Sequence, residues 1–124
     1  MGFKIIQKEG EKMIDCENVL LNYENHVLKI KIQGDIDHHS AKGIREKIDN
    51  AIFSKRPSMV VLDLSVVDFM DSSGLGLVMG RYANSIEIGA DFMIFKPCDK
   101  VRKILRLAGI ERIMDIKGDY DEAK

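Results

Sequence analysis

The sequence predicts an α/β fold: one domain with a mixed, mainly parallel central sheet, an N-terminal antiparallel hairpin, and helices packed on the sheet. Three observations carry that expectation. Beyond residue 33, strand-length apolar runs alternate with segments of helical period, the order that gives parallel strands joined by right-handed crossovers. Ahead of them, two short strand-like runs meet at a polar turn, which places an antiparallel pair at the edge of the sheet. The length of 124 residues, 45% of them hydrophobic, provides a core for one domain and no more.

Residues 1 to 17 are mixed in charge with only a short apolar patch, and they read either as a strand or as a loose arm. Val19-Leu20-Leu21-Asn22-Tyr23 and His26-Val27-Leu28-Lys29-Ile30-Lys31-Ile32 form the hairpin around Glu24-Asn25, with Leu28, Ile30 and Ile32 alternating against Lys29 and Lys31. Ser40 offers a cap for a helix whose Ala41, Ile44, Ile48, Ala51 and Ile52 share one face, ending near Lys55-Arg56-Pro57. Met59–Leu64 is a buried strand. The next helix shows Leu75, Val78, Met79, Tyr82, Ala83 and Ile86 at helical spacing and runs to about Ile88-Gly89. Asp91–Phe95 is a short strand closed by Pro97. A last helix starts at Asp99, a further capping residue, with Val101, Ile104, Leu105 and Ala108 on one face, and Gly109 stops it. Arg112–Ile116 adds a final strand, and the polar tail from Lys117 to Lys124 reads as disordered. Ile44, Ile48, Leu62, Leu64, Leu75, Val78, Met79, Ile94, Ile104 and Leu105 are the expected core.

Nineteen basic residues against twenty acidic ones give a formal charge of −1, so nucleic acid and anionic membrane are not expected partners. No segment has the length of a membrane span, and the opening apolar run is too short for a signal peptide, so the chain reads as cytoplasmic. Cys16 and Cys98 lie far apart in sequence and suit buried apolar positions or free thiols better than a metal site.

The chemistry-bearing stretch is Asp71-Ser72-Ser73-Gly74, between the buried strand and the second helix. Aspartate and serine accept hydrogen bonds from the unpaired N–H groups of a first helical turn. A helix N-terminus also favours a phosphate group, with its charge of roughly −1.5 to −2. Capping alone accounts for one serine but not for two. Gly74, Gly76 and Gly80, each costing roughly 1 kcal/mol in a helix, point to close approach, either tight packing on the sheet or contact with a partner. His38 and His39 are adjacent and diverge on either a strand or a helix, so they do not share a metal. Asp63, Asp68 and Asp71 gather near the end of the central strand; a magnesium or aspartyl-phosphate site is the sharp reading, solvated loop acids the simpler one. No Gly-x-Ser-x-Gly elbow, phosphate-binding loop or dinucleotide fingerprint is present. Neither a catalytic constellation nor a cofactor is therefore expected.

Asp68-Phe69-Met70-Asp71-Ser72-Ser73-Gly74-Leu75-Gly76, preceded by Val60-Val61-Leu62-Asp63-Leu64 and by Gly34-Asp35-Ile36-Asp37-His38-His39, closely resembles the STAS-domain anti-sigma factor antagonists of bacteria. The continuation Leu77-Val78-Met79-Gly80-Arg81-Tyr82 and the His-His pair are similar to the sporulation branch, the stage II anti-sigma F factor antagonists. The resemblance implies a STAS domain over residues 15–116, with an N-terminal extension at 1–14 and a polar tail at 117–124. It also implies a regulatory module rather than an enzyme. Such a module binds an anti-sigma factor that is also a serine kinase, frees the sigma factor, and lets go when phosphorylated; a serine phosphatase resets it. The phosphoacceptor falls on Ser72, and the implied docking surface comprises Asp37, His38, His39, Asp71, Ser72, Ser73, Gly74 and Leu75. Two alternatives stand beside this: a STAS module of a stress-signalling complex, and a small nucleotide-binding protein.

Overall fold

In the computed structural model, which describes residues 3–8, 11–16 and 18–118, seven strands form one sheet in sequential order. They are β1 (Phe3–Lys8), β2 (Glu11–Cys16), β3 (Val19–Glu24), β4 (Val27–Ile32), β5 (Met59–Asp63), β6 (Asp91–Phe95) and β7 (Asp115–Lys117). The helices are α1 (His38–Lys55), α2 (Ser72–Glu87) and α3 (Asp99–Leu107), followed by a 3-10 turn at Ile110–Arg112. From β3 onward the pairing is as expected, one antiparallel pair followed by parallel β4–β5, β5–β6 and β6–β7. The two N-terminal strands add antiparallel pairs β1–β2 and β2–β3, so the first residues extend the sheet instead of forming a free arm.

The β3–β4 hairpin turns one residue later than its composition suggests. Asn25 (φ +54°) and His26 (φ +66°) are both left-handed, and Glu24 faces Val27. Such two-residue loops match the right-handed twist of the flanking strands, and asparagine and histidine adopt positive φ more readily than most residues.

Alternation in the strands sends Leu28, Ile30, Ile32, Val60, Leu62, Phe92 and Ile94 into one buried cluster, with Ile44, Ile48 and Ile52 of α1, Leu77 and Val78 of α2, and Val101 and Leu105 of α3. Seven of the ten expected core residues are buried; Leu75, Met79 and Ile104 are half-buried and pack at its margin. The face of α2 is rotated from the expected one. Gly74, Leu77, Val78, Arg81 and Ser85 are buried, whereas Ala83 and Ile86 are exposed. The reason is that α2 packs on both the sheet and α1, so its covered surface is wider than its apolar stripe.

Cap positions also shift. The N-cap of α1 is Asp37, with Ser40 three residues in, and that of α3 is Cys98. Gly109, at φ +80°, ends α3 as expected, and the last strand begins at Asp115 because the 3-10 turn occupies Ile110–Arg112. Lys117, placed in the polar tail by its sequence, belongs to β7; residues 119–124 lie outside the described residues. Among the described residues, no helix is long and apolar enough to cross a membrane.

Candidate functional site

Two separated motifs meet beyond the C-terminal ends of the parallel strands. Ile36 and Met70 form an isolated parallel bridge. The Ile36 N–H donates to the Phe69 carbonyl at 3.1 Å, and the Asp71 N–H donates to the Ile36 carbonyl at 3.2 Å. Both bridging side chains are buried, so the bridge is anchored in the core and its flanking residues turn outward. One residue after each arm of the bridge a helix cap begins: Asp37 for α1 and Asp71 for α2. The two helix N-termini are therefore held side by side, and each brings the partial positive charge of its dipole to the same surface.

Each aspartate uses its carboxylate locally. Asp37 Oδ1 accepts from the N–H groups of His39 (2.9 Å) and Ser40 (3.0 Å), and the Ser40 hydroxyl accepts from the Asp37 N–H at 3.2 Å. That reciprocal pair is a capping box. The Ser40 and His39 N–H groups hold the Asp37 carboxyl below its usual pKa. Asp71 Oδ1 accepts from the Ser73 N–H at 2.8 Å, and its carbonyl from the Gly74 N–H at 2.9 Å. Of the aspartate and two serines able to cap the start of α2, Asp71 is the one that does so.

Ser72 occupies the first helical position, exposed, and its hydroxyl has no hydrogen-bond partner among the described residues. His38 and His39 are exposed with ring centroids 6.0 Å apart at 66°. Gly74 is buried because a Cβ there would come within 2.6 Å of Met70 Cβ, so this glycine answers to packing beneath the surface. Gly76 and Gly80 are different: a Cβ at either meets nothing within 4 Å, which removes tight packing on the sheet as their reason. Of the eight expected surface residues, Ser72, His38 and His39 are exposed; Asp37, Asp71, Ser73 and Leu75 are half-buried, and Gly74 lies underneath.

Composition did not single out Val66 and Phe69, which stand 45% and 46% exposed beside Asp68. Phe69 neighbours the buried Met70, and strand-like alternation across Phe69-Met70-Asp71 is the signal that could have found it. The three acids Asp63, Asp68 and Asp71 do not converge on one ligand set among the described residues. Asp63 Oδ1 accepts from the Ser65 N–H at 2.8 Å, Asp71 is committed to its cap, and no group of three potential ligands gathers among the described residues.

The STAS domain model matches residues 18–123. An anti-sigma F factor antagonist of Paenibacillus polymyxa is 34% identical over 101 residues, 80% of this chain and 86% of that protein. This chain belongs to the STAS-domain family of anti-sigma factor antagonists. A second relative, the anti-sigma F factor antagonist of Lysinibacillus sphaericus, is 35% identical over 81 residues, 65% of this chain and 69% of that protein. Among solved structures, the antagonist SpoIIAA in its unphosphorylated form superposes with a TM-score of 0.73 at 29% identity, covering 85% of this chain and 91% of that one. The Bacillus cell fate determinant SpoIIAA in its phosphorylated form gives 0.64 at 25% identity, covering 98% and 95%. The STAS match begins at residue 18, just after β2.

Proposed function

We propose that this STAS protein is a phosphorylation-switched anti-sigma factor antagonist of the cytoplasm. In its unphosphorylated state it binds an anti-sigma factor that is also a serine kinase, which releases a sigma factor of the sporulation type. Transfer of phosphate to Ser72 ends that binding, and a serine phosphatase restores it. The chain is substrate and binding module, with catalysis supplied by its partners. One observation carries the reading: Ser72 presents an exposed, unpartnered hydroxyl at the first position of a sixteen-residue helix, beside the second helix N-terminus that bears His38 and His39. A hydroxyl so placed is open to a kinase, and the helix dipole accommodates the resulting dianion. The names of the relatives, and a phosphorylated form among the matched structures, support it.

The test is incubation of the full chain with a candidate anti-sigma factor serine kinase and ATP, followed by mass mapping. Label on Ser72 is expected, and Ser72→Ala should abolish it. Label on Ser73, or none on either serine, overturns the assignment. A stress-type assembly is the second reading, favoured by the 25% identity to the anti-sigma-B factor antagonist of Listeria monocytogenes; exclusive phosphorylation by a stress-type kinase would select it.

A further inference from the structure

Arg81 is the exception on the packed face of α2: a charged side chain only 5% exposed, between α2 and α1. Its Nε lies 2.8 Å from Asp49 Oδ1 on α1, and the Asn84 side-chain amide donates to that same oxygen at 2.7 Å. Nε and Nη1 lack an aligned hydrogen-bond acceptor among the described residues, so the Asp49 carboxylate is the charge that compensates this buried cation. Arg45, one turn before Asp49, adds repulsion and makes that compensation more necessary. The two helices joined here are the two whose N-termini build the candidate surface. Asp49 stands roughly 18 Å along α1 from Asp37, and Arg81 roughly 15 Å along α2 from Asp71, at 1.5 Å of rise per residue. The helices are therefore fastened at two separated points, by the Ile36–Met70 bridge near their N-termini and by the Arg81–Asp49 pair along their length. Two fastenings fix both spacing and crossing, where one would leave a pivot.

We propose that Arg81 and Asp49 are a positioning pair that sets how α1 lies against α2, and thereby holds His38, His39 and Ser72 in one docking surface. An apolar pair would fill the same space without direction, since hydrophobic contact is non-directional. The docking half of the proposal rests on the function proposed above; the helix-positioning half is read without any partner.

Asp49→Asn, Arg81→Lys and the apolar double variant Arg81→Met/Asp49→Leu separate positioning from stability. The double variant should melt at or above the parent, because apolar isosteres often replace buried ion pairs without loss. It should nevertheless raise the KM of the chain as kinase substrate about tenfold, with kcat within about twofold. Amide exchange at Ile36, Asp71 and Ser73 should quicken at least about tenfold more than in β4 and β5. A double variant with parental KM and parental exchange at these amides overturns the proposal, as does exchange that rises uniformly through the sheet. If the parent is not phosphorylated, the proposed function fails, and the exchange pattern still decides the positioning role. Should either single variant fail to fold, the double variant carries the test.

Discussion

Asp71 closes the first turn of α2 with its carboxylate and its carbonyl, and neither adjacent serine shares that task. Asp71→Ala should therefore cost about 0.5–2 kcal/mol, the usual loss of an N-cap, while Ser73→Ala should stay within about 0.5 kcal/mol. Urea midpoints decide it, and the reverse order would move the cap to Ser73. Composition alone could not separate these residues, because aspartate and serine accept the same N–H groups. The backbone decides: Asp71 is extended (φ −102°, ψ −164°), and Ser72 is already helical. The glycines divide in the same way. Gly74→Ala gains helix propensity but drives a methyl into Met70, and overpacking of that kind costs about 1–3 kcal/mol. Gly76→Ala meets open space and should stabilise by about 0.5–1 kcal/mol. Gly76 lies one turn from Ser72 on the same helix face, so this stabilised variant should bind the kinase more weakly if partner contact explains the glycine. Unchanged binding would remove that explanation.

At the scale of the element, helical periodicity located α1 well because its buried residues, Ile44, Ile48 and Ile52, are all apolar. It misplaced the face of α2 because Arg81, Ser85 and Gly74 are buried there, and a pattern of apolar residues cannot register a buried ion pair or a glycine. The α1 cap makes a testable statement about pH. Asp37 is held below its usual pKa by the N–H groups of Ser40 and His39, so the folded state binds its proton less tightly than the unfolded chain does. The stabilisation is therefore complete above the unfolded carboxylate value of about 3.9 and is lost as pH falls further, through the lower folded value. Asp37→Asn keeps a capping acceptor without a titrating group. Its melting temperature near neutrality should lie close to the parent's, and its decline below about pH 4 should be shallower. Parallel declines in the two proteins would show that the cap does not sense pH.

For the whole molecule, the antiparallel β3–β4 hairpin and the parallel direction of the strands after it were legible because alternating strands and helices admit few connections. The meeting of the two motifs was not, since a backbone bridge between Ile36 and Met70 leaves no mark in residue type. That bridge bears on how a phosphate at Ser72 would act. The helix N-terminus accepts the dianion without rearrangement, and the bridged residues are buried, so amide shifts on phosphorylation should be confined to about residues 35–40 and 65–76. The effect on a partner must then come from the surface itself. Roughly −1.5 to −2 charges join a rim that already carries the exposed Asp35 and Asp68 and the half-buried Asp37 and Asp71, next to the exposed Val66 and Phe69. Any surface packed closely there must desolvate the phosphate, and like-charge juxtaposition in an interface costs several kcal/mol. Two increments of 1.4 kcal/mol already weaken binding about 100-fold, enough to dissociate a micromolar complex. Ser72→Ala should accordingly hold the kinase persistently. Ser72→Asp, with less charge and bulk, should bind with intermediate affinity, and the phosphorylated chain should bind at least about 100-fold more weakly than the free one. Calorimetric titration of all four forms reads this directly. Equal affinities for the free and phosphorylated chains would end the switch, and shifts spread across β4, β5 and β6 would replace a local mechanism with one transmitted through the fold.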